Sequence, residues 1–184
     1  ASGAGVLLRV SALREVGLFD DELFLYHEDL DLGWRLRLAG YENVLAPSSI
    51  VYHKYEFSRS IAKWYWMERN RFLVLAKNYR LATLLLILPA LVVMELGLLL
   101  FSLRSGWVRE KFKGYRYLSN VTHWRALWEK RLLTQRIRKV PDRTIARHFT
   151  GLIAFQDIAN PIVRYFANPI FQAYWYIIRW LIVW

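Results

Sequence analysis

The sequence predicts an α/β segment followed by a mostly α-helical, membrane-associated region. Three observations lead there. Residues 1–57 alternate short β-branched or leucine-rich runs with helical spacing, broken by Gly and Pro. The charge then reverses: residues 1–57 carry five Lys/Arg against nine Asp/Glu, and residues 58–184 carry 21 against six. Finally, residues 81–103 hold one charge, Glu95, in 23 positions, long enough to cross a hydrocarbon core at about 1.5 Å per residue. The division places one unit at 1–57 and a second, basic unit at 58–184.

In the first unit, Gly3, Ala4 and Gly5 precede the run Val6 to Val10, which reads as a strand leaving a tight backbone segment. Ser11 suits the N-cap of a short helix over 12–16, and Gly17 its C-terminal stop. Residues 18–26 form a loop with apolar anchors. Over 29–39, Leu30, Trp34 and Leu38 recur every four residues, one buried helical stripe. Residues 41–46 and 50–55 read as short strands around the turn Pro47-Ser48-Ser49.

After Ser58 or Ser60, either able to cap it, comes a helix with Ile61, Trp64, Tyr65, Phe72 and Leu75 on one face. Lys63, Arg69, Arg71 and Lys77 lie elsewhere on it. The apolar run 81–103 has Pro89 at its middle, so a kinked or re-entrant course competes with a straight crossing. Both flanks are basic, and the positive-inside rule gives no orientation. Residues 122–139 form a second amphipathic helix with Trp124, Leu127, Trp128 and Leu132 as its stripe, suited to an interface. Residues 170–184 are apolar and aromatic with one charge, Arg179.

A net charge of +11 with nine Trp fits either nucleic acid, through phosphate neutralisation and stacking, or an anionic membrane surface. The length of the apolar runs favours the membrane. Absence of Cys excludes disulfides and thiolate metal sites. The opening ASGAGVLLRV lacks the pattern of a signal peptide and reads as the middle of a domain, so a fragment is expected.

The most informative stretch is 17–41, GLFDDELFLYHEDLDLGWRLRLAGY. It sets Asp20, Asp21, Glu28, Asp29 and Asp31 around an apolar-aromatic run at a loop-to-helix junction. Gly17, Phe19, Asp20, Phe24, Tyr26, Glu28, Asp29, Asp31, Leu32, Arg35, Ala39, Gly40 and Tyr41 follow the pattern of an acceptor-side segment. In these residues the chain resembles family 2 glycosyltransferases of the GT-A type, rhamnosyltransferase-like enzymes among them; one departure is Asp21 where Glu is usual. The resemblance covers about residues 1–57. It implies a partial GT-A, Rossmann-like α/β fold for them, and a nucleotide-binding N-terminal half with a strand-terminal D-x-D that nothing in this sequence resembles. The fragment is therefore expected to be inactive by itself.

Inverting transfer requires deprotonation of an acceptor hydroxyl as it attacks an anomeric carbon. The resemblance implies that Asp29 is that base. A helix opening there would favour its ionised form, although capping alone also accounts for acids at this position. Glu28 either binds an acceptor hydroxyl or orients the chain. Asp31 and Arg35, four apart, suit an intrahelical ion pair. Asp29-Leu30-Asp31 is not read as a metal-binding D-x-D, because helical spacing turns the two acids about 200° apart. His27-Glu28 fails as a zinc motif, since position 31 is Asp. The resemblance further implies that Gly3 and Ala4 line the substrate cleft. It also makes His53 a ligand of a divalent metal, Mn²⁺ or Mg²⁺, whose main ligands belong to the N-terminal half. A partly buried His with a backbone partner is the other reading of His53. Arg59 either meets phosphate oxygens or begins a solvated helix.

The expected partners are a nucleotide-sugar donor, a lipid-linked or saccharide acceptor, and the membrane, with no nucleic acid. The expected setting is cell-envelope polysaccharide assembly, with the catalytic part on the cytoplasmic side. The rival is a non-enzymatic membrane-surface or nucleic-acid-binding module.

Overall fold

The structure, a computed structural model, describes residues 3–54, 61–153 and 161–184. Its described residues form helices α1 (Val10–Val16), α2 (Glu28–Leu38), α3 (Lys63–Asn78), α4 (Leu81–Arg104), α5 (Val108–Leu118), α6 (Val121–Arg136), α7 (Asp142–Ala146) and α8 (Asn168–Leu181). A π-helical turn, Val163–Ala167, runs directly into α8.

The expected α/β class, a partial Rossmann-like GT-A segment, is overturned: the described residues contain no strand and no sheet. Residues 6–9, 41–46 and 50–54, whose β-branched composition suggests strands, carry no regular secondary structure and no strand pairing. Strand preference measures fit to a pleated, partnered surface, and here no partner lies alongside. Leu7, Val44, Leu45, Ile50 and Tyr52 are consequently exposed. The turn between the last two segments does form, closed by Ser49 N–H donating to Ala46 O at 3.0 Å.

Helix α1 starts at Val10, with Ser11 inside it rather than capping it. It ends at Gly17, whose φ of 81° is the left-handed conformation that favours glycine. Ala12 and Val16 of α1 pack on Leu32, Leu36 and Ala39. The opposite side of α2 enters the larger core, where Trp34 and Leu38 meet Leu73, Val74, Tyr79, Ile87, Trp175 and Ile178. Trp34 lies edge-on to Tyr79 with ring centres 4.6 Å apart. One core thus joins the acidic segment to the basic one.

Helix α3 departs from its amphipathic reading. Glu68, Arg69, Asn70, Lys77 and Asn78 are buried with Leu73 and Val74, because each meets a partner on another element. Its last carbonyls are closed by α6 and the chain after it. Arg131 donates to Ala76 O and Tyr79 O, Gln135 to Lys77 O and Asn78 O, and Arg138 to Asn78 O. Cationic donors at a helix C-terminus satisfy unpaired carbonyls and oppose the dipole.

Helix α4 continues through Pro89. Its first turn is capped from a distance by Asp142, which accepts from Arg80 N at 2.8 Å and Thr83 Oγ1 at 2.6 Å. One face of α4 is packed, and Glu95 on it meets Arg71, Lys111 and the Tyr115 hydroxyl. The other face exposes Leu85, Leu88, Val92, Leu96, Leu100 and Leu103. Helix α6, capped by the Asn120 side chain, buries Leu127, Arg131 and Thr134 and exposes Trp124, Trp128, Leu132 and Leu133. The short helices α5 and α7 went unread in the sequence; α5 interleaves charges with aromatics and has no long apolar run.

Candidate functional site

The site is built on residues 20–29, which fold into a tight loop feeding α2. Phe24, Tyr26 and His27 have φ of 51°, 64° and 69°, a conformation bulky L-residues rarely adopt and that costs on the order of 1–3 kcal/mol each. Side chains from α3 hold it. Asn70, fully buried, places its amide nitrogen 2.7, 2.9 and 2.7 Å from the carbonyls of Leu23, Leu25 and Tyr26. Arg69 donates to Glu22 O and to Asn70 Oδ1, and stacks over Trp66 and Tyr117. The Tyr117 hydroxyl donates to Glu22 Oε1 at 2.6 Å.

The acids before and after this loop divide into two sets. Asp20 and Asp31 are locked against cations. Lys77 Nζ lies 2.5 Å from Asp20 and 2.8 Å from Asp31, and Lys130 holds the other Asp20 oxygen. Burial by itself would raise the Asp20 carboxyl, but Lys77 and Lys130 outweigh it and hold its pKa at about 2. Asp31 also pairs with Arg35 at 2.9 Å, as the four-residue spacing predicts, and accepts from Asn78 at 2.8 Å. Arg35 spends its remaining donors on the carbonyls of Val16, Gly17 and Leu18, fixing the end of α1.

Glu28 and Asp29 are the unlocked set. Both open α2, half-buried, and neither pairs with a cation among the described residues. Asp29 Oδ2 accepts from Gly3 N–H at 3.0 Å, and Oδ1 from Leu30 N–H at 2.7 Å. A Cβ on Gly3 would lie 3.7 Å from Asp29 Cβ and 3.9 Å from Glu28 Oε1, ordinary contact distances that place this residue directly beside the two acids. Burial pushes the Glu28 carboxyl up, and the adjacent Asp29 charge adds to this. Glu28 Oε2 is buried without a hydrogen-bond partner.

Asp29 sits between two cavities. One of about 790 Å³ is walled by residues 6–9, α1, α2 and residues 40–44. The other, of about 330 Å³, is shared with Arg37, Asn43, His148 and Phe149. Ala4 follows Gly3 in an exposed turn. His53 is exposed on 50–54 and lines neither cavity; the same segment touches the glycine turn through Val51, which a Cβ on Gly5 would meet at 2.9 Å. Arg59 lies outside the described residues. Among the described residues no three His, Asp or Glu side chains converge on a metal position. The described residues therefore do not complete a divalent-ion site by themselves, and any such ion would need ligands from elsewhere.

Sequence reasoning passed over Arg69, Asn70, Lys77 and Asn78, which position the acidic loop. The available signal was the density of polar residues in an otherwise apolar helix, ERNRFLVLAKN, beyond what a solvated face needs.

Comparison with known proteins adds three findings. A family model described as Glycosyl transferase family group 2 matches residues 1–183. The chain is 50% identical over 52 residues to the N-acetylglucosaminyl-diphospho-decaprenol L-rhamnosyltransferase of Mycobacterium tuberculosis, in strains CDC 1551 / Oshkosh and ATCC 25618 / H37Rv. That match covers 28% of this chain and 17% of each relative's length. No solved structure matches the chain.

Proposed function

Because the chain belongs to glycosyl transferase family group 2, we propose that it forms the acceptor side of an inverting glycosyltransferase, with Asp29 as general base. The observation that carries this reading is the contrast among the acids. Asp20 and Asp31 are consumed by lysines and an arginine, whereas Asp29, at the edge of two cavities, accepts from backbone N–H groups and meets no cation among the described residues. Its place in the first turn of α2 lets the helix dipole favour the proton-accepting carboxylate.

In the proposed step the acceptor O–H gives its proton to an Asp29 oxygen as the hydroxyl oxygen bonds to the anomeric carbon. The bond from that carbon to the donor's phosphate oxygen breaks, and the nucleoside diphosphate leaves with its electron pair. Glu28, its buried oxygen unpartnered, receives a neighbouring acceptor hydroxyl, and Gly3 and Ala4 border the approach. A divalent Mn²⁺ or Mg²⁺ ion would offset charge on the leaving diphosphate. His53 is proposed as one of its ligands, with the others outside the described residues, as is a phosphate contact for Arg59. The relatives' name supports a lipid-diphosphate acceptor and transfer of a rhamnosyl group; the donor proposed with it is a nucleotide sugar.

Helix α4 is long and apolar enough to cross a membrane by length and composition. We place it instead in the plane of the membrane surface. Its packed face carries Glu95 near mid-helix, within a charge quartet in which Glu68 and Lys111 are buried and Glu95 and Arg71 half-buried. A crossing helix would carry four charges toward the bilayer centre, where each is costly. An in-plane helix keeps them on the protein side and sinks the exposed leucine stripe into lipid. The proposed setting is the cytoplasmic side of the membrane, in a pathway building envelope polysaccharide.

Asp29→Asn in the full-length protein tests the base. Transfer should fall by about 10²–10⁴-fold, the usual contribution of a positioned base, with folding and membrane association retained. Transfer at the wild-type rate removes Asp29 from the role.

A further inference from the structure

One part of the surface gathers cations that no acid offsets. Arg143 of α7, Arg147 directly after it and Arg179 in the last turn of α8 line a concavity of about 200 Å³ together with Trp180. Arg143 and Arg147 are four apart, the spacing that puts two residues on one side of a helix. Packing brings Arg179 to them. Arg143 N–H donates to Trp184 O at 3.1 Å, tying α7 to the segment after α8. Ile145 and Ala146 share the core with Trp175, Ile178 and Ile182.

Among the described residues no carboxylate pairs with any of these three guanidinium groups. Asp142, next to Arg143 in the chain, is turned away. One of its oxygens meets Arg138 at 2.5 Å, and the other accepts from Arg80 N and Thr83 Oγ1. Arg179 lies over the Tyr176 ring, its guanidinium carbon 5.9 Å from the ring centre. A cation in the last turn of α8 opposes the helix dipole, which accounts for Arg179 but not for the two arginines gathered beside it. Like charges held four residues apart repel, and a bound anion relieves that repulsion. Guanidinium forks match phosphate oxygens and are weakly hydrated, so phosphate is the anion they suit best.

The surroundings indicate which phosphate. Toward its end α8 buries Trp175 and Ile178, yet it exposes Ile177, Trp180 and Leu181 on its other side. Trp180, at the rim of the concavity, is 82% exposed. An indole beside cations at the edge of an apolar surface fits the boundary between membrane and water. A soluble phosphate would gain nothing from these apolar side chains. A zwitterionic lipid would bring its own cation among three others, with no acid beside them to receive it.

We propose that Arg143, Arg147 and Arg179 bind the phosphate of an anionic phospholipid, with Trp180 at the interface and the acyl chains along Ile177 and Leu181. The site shares no lining residue with the two cavities beside Asp29. It therefore binds a lipid other than the acceptor, and holds whether or not Asp29 is the base and whichever course α4 takes.

The test is calorimetric titration of dihexanoyl phosphatidylglycerol into the full-length protein in a neutral detergent. Dihexanoyl phosphatidylcholine, inorganic phosphate and a single-stranded oligonucleotide are titrated in parallel. Phosphatidylglycerol should bind at least about tenfold more tightly than phosphatidylcholine or inorganic phosphate. A basic residue beside anionic lipid is worth about fivefold, so Arg143→Gln combined with Arg147→Gln should weaken phosphatidylglycerol about 25-fold. Both side chains are exposed, so the fold should be kept. Arg125→Gln, which removes an exposed arginine from α6, should leave the affinity unchanged. Trp180→Ala should weaken phosphatidylglycerol without altering the response to inorganic phosphate. Wild-type affinity in the double variant overturns the proposal, and wild-type affinity in Trp180→Ala overturns the interfacial placement. Inorganic phosphate binding as tightly as phosphatidylglycerol would make this a soluble-anion site, and equal binding of phosphatidylcholine would remove the selection for charge. Oligonucleotide binding that is tighter still and lost in the double variant would make the cluster a nucleic-acid contact and overturn the lipid.

Discussion

At the scale of single residues, the chemistry of this chain depends on which carboxylates are spent. Six acids lie between residues 20 and 31, and spacing does not rank them. Partners do. Asp20, about nine-tenths buried and held by two lysines, is an anchor. Its pKa, depressed from 3.8 to about 2, makes it a source of stability that is fully present above about pH 4 and lost as pH falls through 2. The shift corresponds to about 2 kcal/mol. Denaturant unfolding followed from pH 6 to pH 2 should show wild type losing this increment below pH 4. Asp20→Asn should start about 2 kcal/mol lower and converge with wild type near pH 2. Parallel curves would mean the two lysines contribute nothing through Asp20.

At the scale of elements, α3 is the clamp that makes the loop at 23–27 possible. Three non-glycine residues there adopt positive φ, a cost met by the carbonyls that Asn70 gathers. Asn70→Ala removes the shared donor and leaves those carbonyls unmet inside the fold. Loss of about 2 kcal/mol is expected in thermal or chemical unfolding, with faster proteolysis inside 23–27. Transfer should fall further than the stability loss alone predicts, because the loop sets the start of α2 and hence Asp29. Wild-type proteolysis at 23–27 would show that the loop holds its shape without this clamp.

At the scale of the whole molecule, the exposed apolar faces of α4 and α6 and the charge quartet around Glu95 are the features on which the proposed in-plane placement rests. Absence of Cys makes the geometry measurable with single substitutions. Arg80→Cys and Ser105→Cys bracket α4, both at exposed positions. In sealed vesicles carrying the full-length protein, an impermeant maleimide should label both from the same side. Labelling from opposite sides would establish a crossing and overturn the in-plane placement, with the Glu95 quartet then lying within the bilayer.

The sequence by itself determined the family resemblance, the acid-bearing helix at 28–38, the Asp31–Arg35 pair and the apolar helix after residue 80. Each is written in local spacing: helical periodicity, an i to i+4 charge pair and an unbroken apolar run need no knowledge of distant residues. Tertiary structure alone decided the rest. Residues 6–9, 41–46 and 50–54 carry strand-forming side chains, yet a strand exists only with a partner, and none lies beside them here. Lys77, read only as lying off the apolar face of its helix, and Asn70, passed over altogether, take their roles when α3 packs against residues 20–31 and turns them inward. Beyond the local Asp31–Arg35 pair, Asp20 and Asp31 are set apart from Asp29 by Lys77, Asn78 and Lys130, neighbours 46 or more positions away in the chain. Charge pairing and strand pairing are properties of juxtaposition, and juxtaposition across such separations is set by the packed core.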